Sequence, residues 1–149
     1  MATTEPDANT VQGACLCGAV SVTLKDARPE VSVCHCDMCR RWGGGPFLGV
    51  SGRVSQPAGH EIAGADALTV YRSSDLAERA FCGRCGSHIY YRYIPGDHYS
   101  FTAGLFAGAD GFPISEQIFI DEKPSYYSLA EDTETLTGAE VKAKYGIGG

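Results

Sequence analysis

The sequence predicts a mainly β domain that ends in a short helix. Three observations carry this expectation. Apolar residues alternate with polar ones in several short runs, and 19 glycines among 149 residues punctuate the chain between those runs. Only the stretch from about Thr137 to Tyr145 has a helical pattern, with Gly146 as its stop signal.

Taken in order, Val20, Val22 and Leu24 alternate with Ala19, Ser21 and Thr23, the period of a half-buried strand. Val31 and Val33 repeat the pattern and lead into Cys34. Asp37 to Arg41 is expected to form a short turn or a single helical turn, broken by Gly43-Gly44-Gly45-Pro46. Phe47 to Val50 then resumes as strand. The middle is looser, with Gly52, Pro57, Gly59 and Gly64 marking connections before a strand at Leu68 to Tyr71. Arg79-Ala80-Phe81 runs into Cys82. Ile89 to Tyr93 and Tyr99 to Thr102 read as a hairpin turned at Pro95-Gly96-Asp97, and Gln117 to Ile120 as a further strand.

All seven cysteines stand in three clusters: Cys15-x-Cys17, Cys34-x-Cys36-x-x-Cys39 and Cys82-x-x-Cys85. Such spacing is a metal-binding signature, because a knuckle aims successive sulfurs at one cation about 2.3 Å from each. An odd number of cysteines at knuckle spacing opposes a disulfide framework. A structural zinc site is closed by four protein ligands, whereas a catalytic one keeps an open position. The simplest partition closes one site with Cys15, Cys17, Cys82 and Cys85, and leaves Cys34, Cys36 and Cys39 around a second, open zinc. A rival partition completes the triplet with a histidine, His35, His60, His88 or His98, and closes both. His35 is badly placed for this, since three consecutive ligands strain an extended backbone.

At 149 residues the chain is expected to bury one core: a disordered tail over 1–10 followed by a single zinc-binding domain over 11–149. The first residues lack a basic region and an apolar stretch, so they read as a frayed tail and not as an export signal. No apolar run approaches the length of a membrane span, and unpaired thiols fit a reducing compartment, so a cytoplasmic location with no membrane partner is expected. The formal net charge is −6, falling to about −9 with two zincs bound by seven thiolates. Such a surface repels nucleic acid. Oligomeric state leaves no trace in the sequence. The only basic pair beside a cysteine cluster is Arg40-Arg41, where it either binds a small anion or offsets the thiolates.

The segments Gly13-Ala14-Cys15-Leu16-Cys17-Gly18-Ala19-Val20, Cys34-His35-Cys36-Asp37-Met38-Cys39-Arg40-Arg41 and Phe81-Cys82-Gly83-Arg84-Cys85-Gly86-Ser87-His88 carry a specific pattern. In order and spacing they resemble the glutathione-dependent formaldehyde-activating enzyme family, which also contains centromere protein V. Looser matches are the Leu68 to Tyr71 strand and Ile118-Phe119-Ile120-Asp121 ahead of Tyr126-Tyr127, so the resemblance runs from about Gly13 to Leu129. It implies a β-tent fold of small antiparallel sheets organised around zinc. It also implies a structural zinc at Cys15, Cys17, Cys82 and Cys85 and a catalytic zinc at Cys34, Cys36 and Cys39.

The activity implied is carbon–sulfur lyase chemistry, the addition of glutathione to formaldehyde and its reverse. Two zincs per chain are expected, the second labile, with a small thiol such as glutathione and a small aldehyde as substrates. A thiol entering an open zinc position becomes a thiolate, and the developing alkoxide then needs a positive or proton-donating neighbour. His35, Arg40 and His88 are the nearest candidates in sequence. Two other readings use the same cysteines: a thiol carrier without turnover, and a structural zinc module acting through protein partners.

Overall fold

The computed structural model describes residues 9–146, so most of the expected frayed tail, residues 1–8, lies outside the described residues. Eleven strands and two α-helices are found among them. In chain order they are β1 (Val11–Ala14), β2 (Ser21–Leu24), β3 (Val31–Cys34), α1 (Asp37–Gly43), β4 (Phe47–Val50), β5 (His60–Ala63), β6 (Leu68–Ser74), β7 (Ala77–Cys82), β8 (His88–Tyr93), β9 (His98–Thr102), β10 (Ile114–Ile118), β11 (Glu134–Leu136) and α2 (Gly138–Tyr145). The mainly β expectation holds, including the short C-terminal helix. Among the described residues no helix is long and apolar enough to cross a membrane. The chain divides into two compact units, residues 1–29 with 50–111 and residues 30–49 with 112–149.

In the first unit, β2 lies between β1 and β5, antiparallel to both. The alternation read from the sequence is visible in burial: Val22 and Leu24 are buried while Ser21 and Thr23 are only half covered. Strands β6 to β9 form an antiparallel meander, in which each strand pairs with the next. Its core is aromatic. Phe101 and Phe106 are fully buried, and Tyr90 and Tyr99 meet edge to face with ring centroids 4.9 Å apart. The β8–β9 turn falls where proline and glycine place it. Asp97 takes a left-handed φ of 49° there and accepts from Arg92 Nε at 2.7 Å.

In the second unit, β10 pairs parallel with both β3 and β11, while β3 pairs antiparallel with β4. Most ladders are thus antiparallel as expected, and β10 departs from the pattern. The strand expected at Gln117 to Ile120 is shifted toward the N-terminus, because Phe119 turns left-handed at φ 55° and Ile120 enters a single 3₁₀ turn. Asp37 to Arg41 is more than one helical turn. Cys36 caps it, and Gly44 ends it in the left-handed conformation at φ 84°. Thr137 and Glu140 form a reciprocal capping box on α2, and Gly146 closes its other end. Lys144 sits between Glu116 and Glu134, which are opposed in the β10–β11 ladder, and relieves their repulsion.

Strands β1, β5 and β11 have no strong signal of their own. They are three or four residues long, and β11 shows only Leu136 buried. Gly13 in β1 is required by packing: a Cβ there would stand 1.8 Å from the Leu105 carbonyl oxygen, whereas a Cβ at Gly104 would meet nothing. Gly13→Ala is therefore expected to lower stability by about 1–3 kcal/mol, and Gly104→Ala by less than about 0.5 kcal/mol, in urea unfolding of the metal-loaded protein. Equal effects of the two substitutions would contradict this close approach.

Candidate metal centres

In the first unit, strands β1 and β7 each run into a tight knuckle. Cys15 N–H donates to Val20 O at 2.9 Å and Gly18 N–H to Cys15 O at 3.0 Å. At the second knuckle, Cys82 N–H donates to Ser87 O and Gly86 N–H to Cys82 O, both at 2.8 Å. Each turn closes on a glycine of positive φ, Gly18 at 82° and Gly86 at 81°, a conformation that a side chain would strain. Backbone N–H groups also point at the sulfurs, Val20 at Cys15 Sγ (3.3 Å) and Arg84 at Cys82 Sγ (3.4 Å). Ser87 Oγ laces the two knuckles together, accepting from Leu16 N–H at 3.0 Å and lying 3.2 Å from Cys85 Sγ.

These turns bring Cys15, Cys17, Cys82 and Cys85 together with every sulfur within 4.8 Å of the others. The Cys15–Cys17 and Cys17–Cys82 sulfurs are 3.7 and 3.8 Å apart. A tetrahedron with metal–sulfur bonds of 2.3 Å has an edge of roughly 3.8 Å, so this donor set fits a zinc ion. None of the seven cysteines is in a disulfide. Donated hydrogen bonds prepare part of the cluster for negative charge: Ser87 pulls Cys85 down to about 5, and the Val20 N–H pulls Cys15 below the ordinary thiol range. The Ala19 N–H pulls Cys17 down as well, but lost hydration and the neighbouring sulfurs outweigh it and push that thiol up to about 11. Four sulfurs at this spacing need a cation before they can all ionise.

The second cluster lies within the second unit. Cys34 ends β3, Cys36 caps α1 and Cys39 stands in its first turn. Cys39 N–H donates to Cys36 Sγ at 3.3 Å, the same main-chain-to-sulfur contact seen in the first unit. The three sulfurs lie within 4.8 Å of one another, and among the described residues no histidine or carboxylate joins them. Cys39 is buried, while Cys34 and Cys36 are partly exposed. The two neighbouring thiols, with burial, push Cys34 far above the ordinary range. The donor set again suits a soft cation, with one position fewer filled by protein.

His35 is fully buried between two of these cysteines. Its Nδ1 is 2.7 Å from the Tyr127 hydroxyl and its Nε2 is 2.8 Å from Gln117 Oε1, so both ring nitrogens are engaged by side chains other than cysteine. Burial lowers its affinity for a proton. Arg40 is partly buried. Its Nε donates to the His35 carbonyl at 3.0 Å, and its outer nitrogen lies 3.9 Å from Asp37. Arg41 is exposed and stands 3.6 Å from the same carboxylate. His60 packs against Tyr99 and Phe101, with centroids 4.6 and 4.9 Å away. His88 and His98 join neither sulfur cluster.

Sequence reasoning passed over Gln117 as a site residue and met Tyr127 only as a point of family likeness. Neither carries a local signal. Gln117 reaches His35 because β10 pairs parallel to β3 in a register that sets Ile118 beside Cys34. Tyr127 arrives from an irregular segment that Lys123 ties down by donating to Ser128 Oγ at 3.1 Å.

Residues 10–122 match the family described as glutathione-dependent formaldehyde-activating enzyme. A Schizosaccharomyces pombe protein described as an uncharacterized lyase is 35% identical over 131 residues, covering 87% of this chain and 93% of the relative. A crystal structure of a Rhodobacter sphaeroides protein shares the fold with a TM-score of 0.52, at 24% identity over 70% of this chain and 99% of that one. With the family match spanning most of the chain and both cysteine clusters assembled, this protein belongs to the glutathione-dependent formaldehyde-activating enzyme family.

Proposed function

We propose that this protein is a zinc-dependent carbon–sulfur lyase that adds a small thiol, such as glutathione, to formaldehyde or a related small aldehyde, and reverses that addition. The observation that carries this reading is the set of three sulfurs with no fourth protein donor among the described residues. The family match and the relative described as a lyase support it. We assign a structural zinc to Cys15, Cys17, Cys82 and Cys85 and a labile catalytic zinc to Cys34, Cys36 and Cys39, in a single cytoplasmic domain over 11–149. Zinc in the three-cysteine site would hold a substrate thiol as its thiolate in the open position, which supplies the nucleophile.

The chain's own residues supply the rest. Cys36, bonded by the Cys39 N–H, keeps its sulfur turned into the cluster. Addition of sulfur to the carbonyl carbon moves an electron pair onto oxygen, and a fixed positive charge beside that oxygen stabilises it. Arg40 is the guanidinium we assign to this task, held in place through its Nε bond to the His35 carbonyl. His35, with both ring nitrogens held by Tyr127 and Gln117, serves as an anchor.

The purified protein is expected to bind two zinc ions per chain, of which a chelator removes one readily. Cys34→Ser should lose the labile ion and keep its fold, while Cys82→Ser should lose most of its secondary structure, as followed by elemental analysis and circular dichroism. Equal damage from both substitutions would contradict a labile site beside a structural one.

With cobalt in the three-cysteine site, glutathione should change the thiolate-to-metal absorption. Because binding releases the thiol proton, affinity should rise about tenfold per pH unit below the thiol pKa. Turnover is measured as loss of free formaldehyde against an enzyme-free control, and Arg40→Ala should lower it by about 100-fold with both metals retained. A cobalt spectrum that no thiol alters would mean a closed site, and spectral change without turnover would mean a carrier.

A further inference from the structure

We propose that Tyr127 and Gln117 are positioning residues for the cluster of Cys34, Cys36 and Cys39, acting through the imidazole of His35. The inference rests on the reading that these three thiols hold a metal. Cys34 and Cys36 are two residues apart and bring their sulfurs within 4.8 Å of each other, while the side chain between them is bonded to Tyr127 and Gln117. That residue is His35, and none of its surface is exposed.

Four bonds hold it. Its N–H donates to Ile118 O at 3.0 Å, and its carbonyl accepts from Arg40 Nε at 3.0 Å. Its ring nitrogens meet Tyr127 and Gln117 at 2.7 and 2.8 Å. The polarity of the ring contacts follows from the amide. Gln117 Nε2 donates to Thr133 Oγ1 at 3.1 Å, and Thr133 in turn donates to the Glu134 carbonyl at 3.0 Å. Gln117 therefore offers its oxygen to His35, which carries its proton on Nε2 and takes the Tyr127 O–H on Nδ1.

An apolar side chain would fill the same space without burying two nitrogens. What the two ring bonds add is direction: the imidazole can neither rotate nor slide, and the main chain on either side of it is held with the Cys34 and Cys36 sulfurs converging. Three thiols gathered within 4.8 Å of one another repel as they ionise and resist convergence on their own. Arranging them before the metal arrives raises metal affinity, and losing such outer partners typically costs about 10–100-fold.

The test uses the full chain with its four-cysteine site filled. Zinc affinity of the three-cysteine site is measured by competition with a chromophoric chelator, and its geometry by the visible spectrum of bound cobalt. Tyr127→Phe and Gln117→Leu should each weaken zinc at that site by about 10–100-fold and shift the cobalt bands, leaving the four-cysteine site unchanged. Gln117→Glu keeps an acceptor for Nε2–H and should recover most of the affinity lost in Gln117→Leu. Tyr127→Phe removes a single oxygen at a half-buried position, so it reports even where Gln117→Leu fails to fold.

Wild-type affinity and cobalt spectrum in Tyr127→Phe would overturn the inference, even if the melting temperature fell. So would equal weakening of both metal sites, which would mark a general loss of fold. A wild-type protein that binds no metal at Cys34, Cys36 and Cys39 would overturn the inference together with the reading beneath it, whereas wild-type binding with insensitive variants overturns the inference alone.

Discussion

The constraint on which the structure turns is the crowding of sulfur. In the first unit four thiols stand at the edge lengths of a tetrahedron, 3.7 and 3.8 Å where neighbouring sulfurs meet. Without a cation such a cluster holds only part of its charge, and with one it becomes a crosslink. Such a crosslink would join the loop after β1 to the end of β7, across a separation of 65 residues between Cys17 and Cys82. Strands in this unit are four to seven residues long and glycine is abundant, so regular hydrogen bonding alone secures little. Metal binding in small zinc peptides contributes on the order of 10–16 kcal/mol, as much as the net stability of a typical domain.

The second unit treats its cysteines differently. Its three sulfurs come from one short stretch, so they close no long loop, and the surroundings supply the order that a long crosslink supplies in the first unit. Strand β3 brings Cys34 to the site, the helix cap brings Cys36, and the first turn of α1 brings Cys39. The other side of the same turn is fastened to β10 and to Tyr127 through His35. A metal held by three cysteines from one short stretch would add little to fold stability and would be free to exchange a ligand, which agrees with the proposed division into a structural and a reactive centre.

Charge reinforces the division. The chain is acidic, with a formal charge of −6, yet Arg40 and Arg41 both stand on α1 beside the three-cysteine cluster. Both reach toward Asp37, at 3.9 and 3.6 Å, distances that leave the guanidinium groups loosely held. Arg40 alone is also tied to the main chain, at the His35 carbonyl. His35, which anchors the turn, thus also holds Arg40 through its carbonyl.

Much of this protein was determined by local sequence. The strands with clear alternation, the β8–β9 turn at Pro95-Gly96-Asp97, the C-terminal helix between Thr137 and Gly146, and the grouping of the seven cysteines into four and three are all legible, because each depends on neighbours a few residues apart. The tertiary structure alone decided the rest. The short strands β1, β5 and β11 form because partners cover them, since three or four residues carry too little pattern to declare themselves. The parallel register of β10 on β3 is invisible in either strand, and it is this register that sets Gln117 against His35. His35 reads in sequence as a candidate ligand or proton donor, and its direction is fixed by groups 82 and 92 positions away. Knuckle chemistry is local and therefore readable, whereas the side of the chain on which a buried ring finds its partners follows from pairings that only the folded chain brings together.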